Sequence, residues 1–111
     1  LRILYKAKQT KLSALSDDEK WKFESWCRTV FRKNVIDWRL GRADNTDLAY
    51  KTAFDQFFSY KSSLDFYKSF LRKNLVRVEK ESKNRNLSFK LGLLKIADES
   101  FQEVTGEKIG D

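Results

Sequence analysis

The chain has 111 residues, of which 41% are hydrophobic, with no proline and only four glycines. This length fits one domain, the scarcity of turn-forming residues favours long helices over a turn-rich β-sandwich, and the lack of a long apolar run excludes a transmembrane helix. A net charge of +7 predicts an acidic partner, for which nucleic acid, anionic membrane and acidic protein are the candidate classes.

A strong N-terminal capping signal separates the first two predicted helices. Apolar residues at helical spacing predict the first helix over residues 1–15. Residues 16–19, Ser-Asp-Asp-Glu, then form a capping box, in which the serine and the glutamate each accept a hydrogen bond from the other's backbone amide. The second helix is therefore predicted over residues 17–40 with Gly41 as its stop, although Asn34 could end it one or two turns earlier.

The third helix is predicted to be the longest. It is expected over residues 47–82, where apolar and aromatic residues recur every three or four positions, and Asn45 or Thr46 is expected to cap it. Residues 62–65, Ser-Ser-Leu-Asp, form a second possible capping box, so the helix could break or kink there.

The C-terminal part has weaker signals. Residues 83–86 are predicted to be a loop, and the alternation of Leu87, Phe89 and Leu91 predicts a short extended segment. One or two helical turns are expected over residues 98–105, stopped by a glycine. The predicted fold class is therefore all-α. It consists of an antiparallel three-helix bundle over residues 1–83 with a long third helix, followed by an irregular C-terminal extension over residues 84–111.

The sequence contains no recognisable catalytic set. Histidine is absent, no glycine-rich phosphate loop is present, and the only carboxylate cluster, residues 17–19, is explained by helix capping. Cys27 lies in a helix among aromatic positions and is predicted to be a buried, inert thiol. The chain is thus predicted to be neither an enzyme nor a metal protein. A single cysteine also favours a reducing or organellar interior over secretion.

Basic residues concentrate in two regions. One region comprises Arg28, Arg32, Lys33, Arg39 and Arg42, and the other comprises Arg72, Lys73, Arg77, Lys80, Lys83 and Arg85. Either region could contact phosphates, but no zinc-finger, RRM, homeodomain or helix-turn-helix pattern accompanies them. A solvated helix face is the alternative interpretation of each region.

Three short elements resemble the LYR-motif family of small mitochondrial proteins. Residues 4–6, Leu-Tyr-Lys, are similar to the Leu-Tyr-Arg of the first helix, with Lys6 in the arginine position. Residues 31–34, Phe-Arg-Lys-Asn, resemble the Phe-Arg-x-Asn element that follows in the second helix. Residues 70–76 resemble a stretch in the third helix of LYR assembly factors for the Rieske iron–sulfur protein. The resemblance extends over residues 1–78.

The resemblance implies a non-enzymatic adaptor that acts as an assembly factor or accessory subunit of a mitochondrial complex. Such adaptors bind the acidic mitochondrial acyl carrier protein, whose acyl-phosphopantetheine enters the helical bundle, and they need no cofactor of their own. The implied partner-binding residues are Arg2, Leu4, Tyr5, Lys6, Lys8, Arg28, Phe31, Arg32 and Lys33. The implied acyl-chain lining is Trp26, Val30, Phe54, Phe57 and Phe58, for which ordinary core packing is the alternative.

The expected location is the mitochondrial matrix, with the cytoplasm as the alternative. A chain that begins with Leu1 instead of Met fits a processed or trimmed product. Two other functions remain open from the residues alone. The charge and the interleaved aromatic residues also suit a nucleic-acid- or ribosome-binding module, and the aromatic third helix suits a purely structural subunit of a large assembly.

Overall fold

The structure, a computed structural model, describes residues 2–41, 46–86 and 90–110, and every regular element within these ranges is helical. The all-α prediction is therefore confirmed, and none of the described helices is long and apolar enough to cross a membrane. The elements are α1 (Arg2–Gln9), a 3-10 turn (Leu12–Ala14), α2 (Asp17–Arg39), α3 (Asp47–Phe57), α4 (Lys61–Phe66), a π-helical segment (Tyr67–Leu71), α5 (Arg72–Asn84) and α6 (Leu93–Thr105).

Helix α2 begins and ends where its sequence signals predict. The Ser16 hydroxyl accepts from the Glu19 amide at 3.2 Å, and the Ser16 amide donates to the Glu19 carboxylate at 2.8 Å, which confirms the capping box. Gly41 follows the helix with a φ of +59°, a conformation that glycine adopts without strain. The earlier stop at Asn34 is not used, since the helix continues to Arg39, and the Asn34 side-chain amide donates to the Val30 carbonyl one turn earlier.

The prediction of a single helix over residues 1–15 is wrong, because α1 ends at Gln9. Beyond Gln9, hydrogen bonds to α4 take the place of the backbone bonds of a longer helix. The Thr10 carbonyl accepts from the Ser62 hydroxyl at 2.7 Å, and the Leu12 amide donates to the Asp65 carboxylate at 3.1 Å. These bonds satisfy backbone groups that a longer helix would have paired internally. The first segment is thereby anchored onto α4.

The predicted long third helix is also wrong, since the chain forms α3 and then a separate, continuous helical segment over residues 61–84, here called the rod. Helix α3 begins as expected, with the Thr46 hydroxyl accepting from the Ala49 amide at 3.1 Å, while Asn45 lies outside the described residues. The interruption falls at residues 58–60 instead of residues 62–65, whose two serines are buried inside α4. From α4 through the π-helical segment to the end of α5, residues 61–84 are helical without a break.

Residues 93–105 form a helix that belongs to the core, so the prediction of an irregular extension is wrong. Helix α6 has 13 residues and ends at Gly106, which has a φ of +72°. Leu93, Ile96 and Phe101 are among its buried residues, and the helix packs mainly against α3. The predicted loop over residues 83–86 begins only after Asn84. In the predicted extended segment, Leu91 lies outside any regular element, and Leu87 and Phe89 lie outside the described residues.

The helices meet in an aromatic core. The Phe31 ring lies 5.7 Å from that of Phe54 and 6.1 Å from that of Tyr67, measured between centroids. Phe58 forms edge-on contacts with Tyr67 at 4.9 Å and with Phe101 at 5.5 Å. Tilted and edge-on pairs of this kind add to the free energy gained from burial alone. This cluster joins α2, α3, the π-helical segment and α6.

A partly buried polar group fixes α6 against the rod. The Tyr67 hydroxyl donates to the Asp98 carboxylate at 2.7 Å, and the Arg72 guanidinium donates two bonds to the same carboxylate, at 2.9 and 3.0 Å. Burial, together with the bond to Asp98, raises the pKa of the Tyr67 phenol, so this group stays a neutral donor at physiological pH.

We expect Asp98→Ala to destabilise the fold strongly. The substitution removes the acceptor that the Tyr67 hydroxyl and the Arg72 guanidinium share, which costs about 3 kcal/mol in the free energy of unfolding. Urea denaturation followed by circular dichroism measures this loss. Glu99→Ala, an exposed acid in the same helix, serves as the control and should cost less than about 0.5 kcal/mol. Equal losses in the two variants would contradict a role for the network.

The capping box gives a second stability prediction. Ser16→Ala removes the side-chain acceptor for the Glu19 amide and should lower the free energy of unfolding by about 1 kcal/mol. Ser16→Thr keeps a hydroxyl at the position and should recover most of the loss. Chemical denaturation measures both variants, and the prediction fails if alanine and threonine have the same effect.

Candidate functional site

An open groove runs between α2 and the rod, along the π-helical segment and α5. Its volume is about 600 Å³, within the range of ligand-binding clefts. The floor is apolar and is formed mainly by Phe31, Val35, Leu71, Leu75 and Val78. The rim carries four arginines: Arg28, Arg32, Arg39 and Arg77. A concave apolar surface with a positively charged edge can bury an apolar group while pairing with the anionic groups beside it.

The spacing of residues on both helices explains the groove. On α2 the lining residues Arg28, Arg32, Val35 and Arg39 follow one another at gaps of four, three and four. On the rod, Leu71, Leu75 and Val78 follow at gaps of four and three. Such spacing places side chains along one stripe of each helix. The two stripes face each other across the groove.

The π-helical segment shapes one end of the groove. Phe70 within it is 39% exposed and stacks on Phe66 with ring centroids 5.2 Å apart. The Arg28 guanidinium lies 5.9 Å from both ring centroids, within the range of a cation–π interaction. Arg28 is thereby held at the rim with its charge intact. Single π-helical turns occur frequently at functional sites.

The charges of the groove are of one sign. Four arginines and no acidic residue line it within the described parts of the chain. Arg28 donates to the Ser25 hydroxyl at 3.4 Å, and Arg77 donates to the Asn74 side chain at 3.5 Å. For Arg28, Arg32 and Arg77, no carboxylate partner occurs in residues 2–41, 46–86 and 90–110. The rim therefore presents a positive potential to solvent.

A second surface is formed by α1. Tyr5 is 72% exposed, and Arg2 and Lys8 are exposed beside it on the same helix. The Lys6 ammonium forms an ion pair with Glu19 at 2.8 Å, which connects α1 to the start of α2. The hydrogen bond from Lys6 lowers the pKa of the Glu19 carboxyl to about 2. The pair therefore adds stability at neutral pH, and this is lost as the pH falls from about 4.5 toward 2.

The structure divides the predicted partner-binding residues between these two surfaces. Arg2, Leu4, Tyr5, Lys6 and Lys8 lie on α1, where Leu4 is half-buried against the core, and none of them lines the groove. Arg28, Phe31 and Arg32 line the groove, with Phe31 buried in its floor, whereas Lys33 is exposed outside it. Of the first basic region, Arg42 lies outside the described residues.

The predicted acyl-chain lining forms part of the aromatic core. Phe54, Phe57 and Phe58 are buried and in contact with one another. Trp26 and Val30 are half-buried. The Trp26 ring lies 6.2 Å from that of Phe57 and forms the outer edge of the cluster. Aromatic rings occupy this space, so an acyl chain would enter only if they rotate aside.

The α5 side of the groove was not predicted as a site. Leu71, Leu75 and Val78 belong to the apolar stripe of the predicted third helix, and Arg77 belongs to the second basic region, which the sequence does not connect with that stripe. The sequence signal that could have indicated the groove is the spacing of four and three residues, which this stripe shares with the stripe on α2. Spacing alone does not say which two stripes face each other, because helix packing decides that.

Cys27 has the environment of a structural thiol. It is fully buried in the core, and burial raises the pKa of its thiol to about 12. Within the described residues no cluster of His, Cys, Asp and Glu side chains could hold a metal ion.

No protein-family model, curated protein or solved structure matches this chain.

The raised pKa of Cys27 gives a direct prediction. At pH 8 the thiol is protonated and shielded, so Ellman's reagent should react with the native protein at least about a hundredfold more slowly than with the urea-unfolded chain. Absorbance at the thionitrobenzoate band follows the reaction. Rapid labelling of the native protein would show instead that the thiol is accessible.

Proposed function

We propose that this chain is a non-enzymatic adaptor of the LYR type, which binds an acidic acyl carrier protein through α1. It would act as an assembly factor or accessory subunit of a mitochondrial complex in the matrix. The observation that carries the proposal is Tyr5, the central residue of the Leu-Tyr-Lys element, whose side chain is 72% exposed on α1. A large aromatic residue left in solvent on a short helix is the kind of residue that dominates the free energy of protein–protein binding.

The charges around Tyr5 suit an acidic carrier. Arg2 and Lys8 are exposed on α1. Lys6 is fixed by Glu19, yet its side chain remains 46% exposed, so the ammonium is oriented and still accessible to a second carboxylate. Complementary charges of this kind increase the association rate and fix the orientation of the partner.

An aromatic path leads from α1 toward the core and supports delivery of an acyl chain there. The Lys8 ammonium lies 5.9 Å from the Tyr60 ring centroid, Tyr60 lies 5.5 Å from Trp26, and Trp26 contacts Phe57. A chain entering along this path would gain about 0.8 kcal/mol for each buried methylene group. That gain would have to exceed the cost of displacing the rings.

The packed core favours a second version of the same function. Because Phe54 and Phe58 are only 1% exposed and their rings are in contact, the core is stable in shape without a guest. The chain would then be a structural accessory subunit that binds its partner on the surface alone. Intact-mass spectrometry of the complex distinguishes the versions, since a carrier whose acyl chain is buried keeps that chain through purification.

Calorimetric titration with acyl-loaded carrier protein tests the proposal. Tyr5→Ala should weaken binding about tenfold or more, because the substitution removes the central aromatic contact. Trp21→Ala is a matched control, since Trp21 is 64% exposed but lies on α2 about 200° around the helix from Glu19. This control should change the affinity less than about twofold.

Lys6 requires a separate control because it also stabilises the contact between α1 and α2. Lys6→Glu should weaken carrier binding, whereas Glu19→Gln breaks the same ion pair and leaves the Lys6 charge available. If both variants lose affinity equally, Lys6 acts only through the fold. Undiminished binding by Tyr5→Ala would overturn the proposed function.

A further inference from the structure

We propose that the arginine-rimmed groove between α2 and α5 is a docking site for an amphipathic helix of another protein, with acidic residues flanking its apolar stripe. This proposal does not depend on carrier binding, because no described residue of α1 lines the groove. It would give the chain two separate contact surfaces.

The shape of the groove fits a helix. Its α2 wall extends from Arg28 to Arg39, about 17 Å along the helix axis, or roughly three turns. Val35 on α2 and Val78 on the rod are half-buried, and Phe70 is exposed, so apolar surface stays open to the groove. An inserted helix with apolar residues three and four apart can contact these side chains. The inserted helix would complete a three-helix seam.

Charge complementarity determines the kind of helix. Arg28, Arg32 and Arg77 lie at the rim, and none of them pairs with a carboxylate among the described residues. Glutamates or aspartates beside the apolar stripe of the docked helix would supply these partners. The planar guanidinium group binds carboxylates with two parallel hydrogen bonds. A neutral or basic helix would leave these charges partly desolvated and unpaired, which is unfavourable.

Two other occupants fit less well. A second copy of this chain, related by a two-fold axis, would bring the arginines of one rim against those of the other. A nucleic acid would satisfy the arginines, but its phosphate backbone would not cover the apolar surface of Val35 and Val78. Among the described residues that line the groove, only Phe70 offers an exposed ring for base stacking.

Fluorescence anisotropy with a defined probe tests the site. The probe is a labelled synthetic helix of about fifteen residues, with leucines three and four residues apart and glutamates flanking them. A shuffled peptide of identical composition lacks the stripe and should bind about tenfold more weakly or not at all. Equal binding of the two peptides would overturn the proposal, since it would show attraction by charge alone.

Paired charge reversals locate the binding site. Arg32→Glu with Arg77→Glu reverses two rim charges and should weaken probe binding about tenfold or more. Lys73→Glu with Lys80→Glu makes the same change in net charge on α5, at exposed residues that do not line the groove, and should change the affinity less than about twofold. Circular dichroism checks that both variants remain folded. Equal weakening in the two variants would place the probe elsewhere.

A single-stranded oligonucleotide serves as the competing ligand. The proposal predicts that it binds more weakly than the helix probe at moderate salt. It is overturned if the oligonucleotide binds more tightly and loses its affinity in the Arg32→Glu, Arg77→Glu variant. The carrier titration with Tyr5→Ala gives an independent result, so failure of either proposal is distinguishable from failure of the other.

Discussion

The packing of the helices against one another depends on Tyr67. Its ring contacts Phe58 from α3's C-terminal end and Phe101 from α6, and its hydroxyl donates to Asp98. A buried phenol must have a hydrogen-bond acceptor, and Asp98 of α6 supplies it, with Arg72 positioned to balance the charge. Three requirements, apolar burial, hydrogen bonding and charge pairing, are thus met by one arrangement of the rod and α6.

This arrangement also decides which face of the molecule stays open. Helix α6 packs on α3 and against α5, so the C-terminal part fills the side of the core that would otherwise need a partner. The opposite side, between α2 and α5, has no further helix in the described chain, and the apolar side chains of Val35 and Val78 stay partly exposed there. The C-terminal segment, predicted to be an irregular extension, packs into the core, and the open groove lies on the other side.

The two surfaces differ in the chemistry they offer. Around Tyr5 the surface carries an exposed aromatic ring beside the exposed basic side chains of Arg2 and Lys8, which suits rapid capture of an acidic partner. The groove is concave, with arginines, one of which, Arg28, is held against aromatic rings. Fixed guanidinium groups around an apolar floor favour a specific, shape-matched contact. The proposed adaptor would use the first surface for the carrier and the second for a client helix.

The sequence by itself determined the helical class, the start and end of α2 and the start of α3, because capping residues and glycines act within a few positions of where they stand. It also identified Cys27 as a buried thiol. Tertiary structure decided the rest. Helix α1 stops early because the side chains of Ser62 and Asp65 form hydrogen bonds with the backbone that follows it. Helix α6 extends beyond its local signals because Asp98 and the aromatic core stabilise it. The groove forms because two stripes, each of which can be recognised in the sequence, face each other in the fold. That arrangement depends on contacts between residues far apart in the chain.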